Sequence, residues 1–150
     1  MSVDSAGKEK IMANSYQVQE VYEAVQAGEN ALQSLYRAQE MLDKARTWGL
    51  FDIFGGNLFS GIMKHSRMQE ARRCMEDARR DLSYFQKELR DVHEPGLDAL
   101  AGEFLTFADF FFDGFIADIL MQSKINEARR QVAEAIRRTK ELLTRLRQYS

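Results

Sequence analysis

Three aspartates and a histidine are the residues of this sequence whose types best suit ion binding. Asp109 and Asp113 are four residues apart, so they would share one face of a helix. Asp118 falls on the apolar stripe of the same segment, where a buried carboxylate needs a cation or hydrogen-bond donors. Because carboxylates and imidazole are common metal ligands, we identify four candidate metal ligands: His65, Asp109, Asp113 and Asp118.

A related stretch occurs twice in the chain, and it places further polar residues beside these four. Residues 51–73 and 108–130 align at an offset of 57 positions, which matches Asp52 with Asp109 and Ser66 with Ser123. If the two copies pack antiparallel, their polar residues converge near the crossing. The sequence therefore predicts a binding set, which comprises Asp52, His65, Ser66, Asp109, Asp113, Asp118 and Ser123.

A structural interpretation of the same residues competes with the binding set, and we favour it. Asp52 and Asp109 would cap or brace helix ends, while His65, Ser66 and Ser123 would close a buried hydrogen-bond network. The chain contains no Glu-x-x-His, the helical signature of di-iron carboxylate bundles. We therefore expect no cofactor.

The sequence offers no convincing catalytic group. Cys74 has no histidine at helical spacing, and Ser66 is the direct neighbour of His65, so the two side chains would point apart on a helix. Residues 56–61 have the glycine spacing of a phosphate-binding loop but lack the Lys-Ser/Thr that must follow. We predict that the protein is not an enzyme.

Apolar residues spaced by three and four predict three long helices that position these side chains. Helix one is expected over 15–47, with Gly28 and Gln39 as interruptions of its stripe, and the apolar turn 48–57 follows. Helix two is expected over 58–92, with Met75, Leu82 and Leu89 at heptad position a. Pro95 breaks it, and helix three would then run from residue 97 to near the end of the chain.

The aligned copies extend over residues 51–92 and 108–149, so helices two and three are predicted to be an internal repeat. We expect one domain over residues 1–150, with 1–14 frayed. The predicted fold is all-α: an antiparallel bundle of three long helices with coiled-coil packing.

The charges are unevenly distributed, although the net charge is only -2. Residues 93–123 hold six acids and no Lys or Arg, whereas residues 124–150 hold eight bases against three acids. The bases alternate with acids at helical spacing, which is typical of a solvated face and argues against nucleic acid. Three aspartates interrupt the Phe-rich segment 104–121, which argues against membrane binding. Cys74 is the only cysteine, so we expect no internal disulfide and a cytoplasmic setting.

Three pieces of the sequence resemble a family of uncharacterised, predominantly helical, mostly bacterial proteins. They are Asp52 with Gly55-Gly56, the tripeptide Lys64-His65-Ser66, and residues 107–118 leading to Gln122-Ser123. The resemblance covers about residues 45–130. It implies that these pieces belong to the family's pattern, and it implies no activity.

Long helices with mixed charge, and a seam rich in Met and Ala, favour a non-catalytic interaction or scaffold protein. Its partner would be another protein or a second copy, and we favour a homodimer because helices of unequal length leave apolar surface uncovered. The alternative is a small-ligand- or metal-binding protein that uses the acidic set with His65.

Overall fold

The computed structural model describes residues 5–55, 58–110 and 125–149, with side chains over 16–46, 69–109 and 125–149. These residues form four helices: α1 (Ser5–Gly55), α2 (Leu58–Arg90), α3 (Asp98–Phe110) and α4 (Ile125–Arg147). No strand occurs among them, so the predicted all-α class is confirmed. Within the described ranges, no helix has the length and apolar character needed to cross a membrane.

Helix α1 is longer than the sequence pattern predicts. It begins at Ser5, upstream of the expected start at Ser15, and it continues through Trp48 and Gly49 to Gly55. The predicted turn from Trp48 is therefore wrong over its first part. A glycine inside a helix costs only about 1 kcal/mol relative to alanine, which a long helix tolerates.

The turn between α2 and α3 lies where Pro95 predicts a break. The last turn of α2 tightens, because the Asp91 amide donates to the Glu88 carbonyl and the Val92 amide donates to the Leu89 carbonyl. The chain then reverses across residues 91–97 and enters α3.

Contacts along α1 show that α2 runs antiparallel to it. Near the start of α1, the Gln17 side chain donates to the His93 carbonyl at 3.3 Å. Further along α1, the Ser34 hydroxyl donates to the Asp81 carboxylate. The partner numbers fall as the α1 numbers rise, so the two helices point in opposite directions.

Helix α4 also runs antiparallel to α1. Glu29 pairs with Arg147 at 2.9 Å, and Asp43 pairs with Arg129 at 2.5 Å. Since α2 and α4 both oppose α1, they are parallel to each other. The prediction that the two repeat copies pack antiparallel is wrong for these two helices.

Helix α3 opposes α4 in the same way. Gly96, just before α3, lies against the Tyr149 hydroxyl, while Phe107 lies under the Arg138 guanidinium at 5.0 Å. A single helix from residue 97 to the chain end is therefore excluded. Each of α1 and α3 packs against both α2 and α4, which gives an up-down-up-down arrangement of four helices.

The predicted heptad positions form the core. In α2 and the turn that follows it, the a and d residues with described side chains are buried: Ala71, Met75, Ala78, Leu82, Phe85, Leu89 and Val92. In α4, the buried residues at these positions are Ala128, Val132, Ala135, Thr139, Leu142 and Leu146. Helix α1 buries mostly small residues between its two partners, including Ala24, Ala27, Ala31 and Ala38, whereas Val18 on its predicted stripe is 54% exposed.

All four helices meet at one level of the core, around Gly28 of α1. A Cβ atom there would lie 2.7 Å from Leu143 of α4 and 2.9 Å from Phe85 of α2. The Phe85 ring packs edge-on against Phe104 of α3, with centroids 5.3 Å apart. Gly28 is therefore a close-contact point of the bundle rather than an interruption of its stripe.

Candidate functional site

The structure describes only part of the predicted binding set. Asp113, Asp118 and Ser123 lie outside the described residues. Asp52 belongs to α1, and His65 and Ser66 belong to α2, but their side chains are outside the described part. Whether these residues converge stays a prediction.

Asp109 is the one member of that set whose side chain is described. It is exposed near the end of α3, and its Oδ1 atom accepts a hydrogen bond from the Gln86 amide at 2.9 Å. Gln86 itself is only 7% exposed. This bond joins α2 to α3 near the end of α3.

A different group of acids comes together between α1 and α2, and the sequence analysis missed it. Glu20 and Glu23 lie one turn apart on α1, and Glu88 projects from α2 towards them. One carboxylate oxygen from each residue lies within 4.8 Å of the others. Among the described side chains, this is the one group of three or more potential metal ligands at such spacing.

This acidic cluster is partly shielded from solvent. Glu88 is 8% exposed, and the Oε2 atom of Glu20 is buried without a hydrogen-bond partner in the described structure. The tyrosine hydroxyl of Tyr16 donates to Glu20, and that of Tyr84 donates to Glu88. Each of these tyrosines lies one turn from its acceptor.

The surroundings favour the protonated form of one of these acids. Burial, followed by the charges of Glu23 and Asp91, raises the pKa of Glu88, and the Tyr84 hydrogen bond opposes this only in part. The hydrogen bond to Glu20 raises the pKa of the Tyr16 hydroxyl. Three carboxylates at this spacing can share a proton, but they supply only about half of the six to eight oxygens that Ca²⁺ takes.

Sequence spacing alone gave a weak signal for this cluster. Glu20 and Glu23 flank the buried Val21, and Glu88 precedes the buried Leu89, so all three lie at the edges of apolar stripes. Acids at such edges are usually solvated. Only the antiparallel register of α1 and α2 brings them together.

A second feature is a basic groove along the outer face of α2, with a volume of about 660 Å³. Four bases line it, Arg79, Arg80, Lys87 and Arg90, against the single acid Glu76. Tyr84, which is 56% exposed, and Gln86 complete the described lining, together with Ser83. Arg79 pairs with Glu76, and Arg80 pairs with Asp77 and Asp81, all within α2. Lys87 and Arg90 therefore supply most of the positive charge that suits an acidic ligand or partner.

The acidic side of α3 lies beside this groove. Residues 93–110 contain no Lys or Arg, and Asp98 and Asp109 are exposed on α3. The third exposed acid of α3, Glu103, lies instead on the side of α4, near Arg137 and Arg138. Gln86 lines the groove and also holds Asp109, so the basic and acidic surfaces are neighbours on one face of the bundle.

Cys74 has the wrong environment for a nucleophile. Burial, followed by the charge of Asp77, raises the pKa of its thiol, so the thiol stays protonated near neutral pH. A protonated thiol is a poor nucleophile, so this environment does not activate Cys74.

No family model matches the chain, and the comparisons with curated proteins and with solved structures also give no match. The resemblance to a helical, mostly bacterial family therefore stays a prediction.

Proposed function

We propose that this protein is a non-catalytic, cytoplasmic interaction or scaffold protein that binds a protein partner through the outer face of α2. The observation that carries the proposal is the basic groove, where Lys87 and Arg90 lie beside the ion-paired Arg79 and Arg80 on a helix already anchored by its buried face. Such a surface recruits acidic partners by long-range attraction.

The anchoring of α2 supports a scaffold role. Its buried stripe packs on α1, and Phe85 and Gln86 fix it to α3 through a ring contact and a hydrogen bond. A face held in this way needs little reordering when a partner binds, which lowers the entropic cost of association. We further propose that the bundle packs as a coiled coil, that α2 and α4 are copies of one repeat, and that the protein forms homo-oligomers.

The test compares the partners retained by the wild type and by a charge-reversed groove. Lys87→Glu with Arg90→Glu changes the groove without touching a buried residue. In capture from source-cell extract at low salt, the wild type is expected to retain a defined partner, including an untagged copy of itself, that this variant loses.

The matched control is Arg130→Glu with Arg145→Glu, which makes the same charge change on exposed positions of α4. It is expected to retain the same partner as the wild type, and circular dichroism checks that both variants fold. If all three proteins retain the same set of proteins, or the wild type retains none, the proposal is wrong.

The alternative function, binding of a small ligand or metal by Asp52, Asp109, Asp113, Asp118 and His65, rests on residues that are mostly outside the described part. Native mass spectrometry of protein purified without chelator tests it directly. Extra mass that is lost in Asp118→Ala and His65→Ala would favour this alternative.

A further inference from the structure

We infer that the partner of the basic groove is a second copy of this chain, which sets the acidic side of its α3 against the α2 groove in a twofold dimer. The inference rests on the proposed function and specifies its partner. It starts from the neighbouring positions of the two charged surfaces on one face of the bundle.

The two surfaces have opposite charge and come from adjacent antiparallel helices. The α2 side carries Lys87 and Arg90, in addition to two arginines that pair with acids of α2 itself. The α3 side carries Asp98 and Asp109, with no Lys or Arg over residues 93–110. Leu105 lies between those two acids along α3 and is half-buried, so it adds some apolar surface to the acidic side.

A twofold axis can make a face that carries both charged surfaces complementary to itself. A twofold axis that lies between two facing copies, parallel to their helices, exchanges left and right on the shared face. The basic groove of α2 in each copy then faces the acidic side of α3 in the other copy. A twofold axis perpendicular to the helices would instead set base against base.

The hydrogen bond between Gln86 and Asp109 fixes which residues meet. It places Asp109 at the height of Gln86, and rotation about an axis parallel to the helices keeps that height. Asp109 of one copy therefore lies within about one helical turn of Lys87 and Arg90 in the other copy.

The same geometry disfavours a nucleic acid in the groove. A phosphate backbone would lie over Asp109 at the edge of the groove and over Glu76 within it, and neither acid would gain a cation. In the dimer, each Asp109 gains the partner's bases. The small net charge of -2 also leaves little long-range repulsion between two copies.

The test is sedimentation velocity of single charge reversals, alone and mixed. The wild type is expected to be a dimer at about 50 mM salt and to dissociate at about 500 mM, because salt screens the pairs. Lys87→Glu and Asp109→Lys are each expected to raise the dimer dissociation constant by about tenfold or more. Arg130→Glu on α4 has the same charge change as Lys87→Glu and should leave the constant unchanged.

Mixing the two single variants is the decisive step. A mixed dimer contains one chain of each variant. At one contact, the two substituted side chains face each other, so the negative charge is now at position 87 and the positive charge at position 109. At the other contact, the unchanged Asp109 and Lys87 face each other. Both contacts then join opposite charges, so dimerisation should return. Neither chain carries both reversals, so this rescue requires contact between chains. No rescue, or a dimer that all the variants leave unchanged, would overturn the inference.

The outcomes also separate this inference from the proposed function. A monomer at every salt concentration, with a different protein still captured through the groove, removes the dimer and leaves the interaction function intact. If neither a dimer nor a captured protein is found, both the inference and the proposed function are wrong. A monomer that binds duplex DNA or RNA through the groove would replace the second copy with nucleic acid.

Discussion

Helices α2 and α4 share a buried stripe but differ in what lies beside it. When the sequence is aligned with itself at the offset of 57, every a and d residue of α2 from Ala71 to Leu89 corresponds to a buried residue of α4 from Ala128 to Leu146. Each helix also opposes α1. The common stripe therefore explains why the same heptad positions are buried in both helices.

The two helices differ at the three matched positions where one of them buries a polar residue. Buried Gln86 in α2 corresponds to Leu143, buried Glu88 corresponds to exposed Arg145, and Leu82 corresponds to buried Thr139. The contacts differ accordingly, because Gln86 bonds to α3 whereas Leu143 packs against Gly28 of α1. The shared spacing determines burial, and the substituted positions determine which neighbours each helix binds.

Gly28→Ala breaks the shared packing of both helices and is expected to have the largest effect. Its Cβ would lie within 3.0 Å of Phe85 and Leu143 at once. Overpacking of about 3 kcal/mol exceeds the gain of about 1 kcal/mol in helix propensity, so the free energy of unfolding should fall by about 2 kcal/mol. Urea denaturation measures it.

Gly102→Ala is the matched control. Gly102 is an exposed glycine inside α3, and a Cβ there has no neighbour within 4 Å. The same substitution should therefore stabilise the protein by about 0.5–1 kcal/mol. If both variants shift stability in the same direction, close contact at Gly28 is not the determining factor.

The core of this fold could be predicted from spacing, because burial follows local helical periodicity. The a and d residues of α2 and α4 that the structure describes are buried or half-buried, as Met75, Leu82 and Leu142 illustrate. The break at Pro95 also follows from local backbone chemistry. These features depend on residues close together in the chain.

Features that depend on helix direction could not be predicted in this way. The periodicity of α3 and α4 reads as one helix, and only contacts such as Phe107 with Arg138 show that the two segments oppose each other. The cluster of Glu20, Glu23 and Glu88 arises from that same long-range register. Gly28 was interpreted as an interruption because spacing does not report the distance between helices.

Thr139→Val tests the difference at the position matched to Leu82. Thr139 is 0% exposed, and its hydroxyl has no hydrogen-bond partner in the described structure. Removing this unsatisfied group should raise the free energy of unfolding by about 1 kcal/mol. In Thr144→Val, an exposed hydroxyl that donates to the Lys140 carbonyl is lost, so little change is expected. A destabilised Thr139→Val protein would show that the hydroxyl has a partner.

The smallest expected effect contrasts an acid of α2 with an acid of α4. Burial raises the pKa of Glu88 above its ordinary 4.5, whereas hydrogen bonds from Arg137, at 2.7 Å and 3.2 Å, lower the pKa of Glu134. Folding therefore favours the protonated form of Glu88 and the ionised form of Glu134. Their contributions to stability should change with pH in opposite directions.

The signs follow from proton binding. The folded chain holds the Glu88 proton more tightly than the unfolded chain, so the stability from Glu88 is full below pH 4.5 and is lost as pH rises through the raised pKa. The stability from Glu134 is present above pH 4.5 and is lost as pH falls through the lowered pKa. Relative to the wild type, Glu88→Gln should therefore become more stable as pH rises, and Glu134→Gln less stable.

Each difference should be about 1 kcal/mol or less, and smaller for the partly exposed Glu134. Urea denaturation between about pH 3 and pH 8 measures both. If both variants changed with pH in the same direction relative to the wild type, the opposite pKa shifts of Glu88 and Glu134 would be wrong.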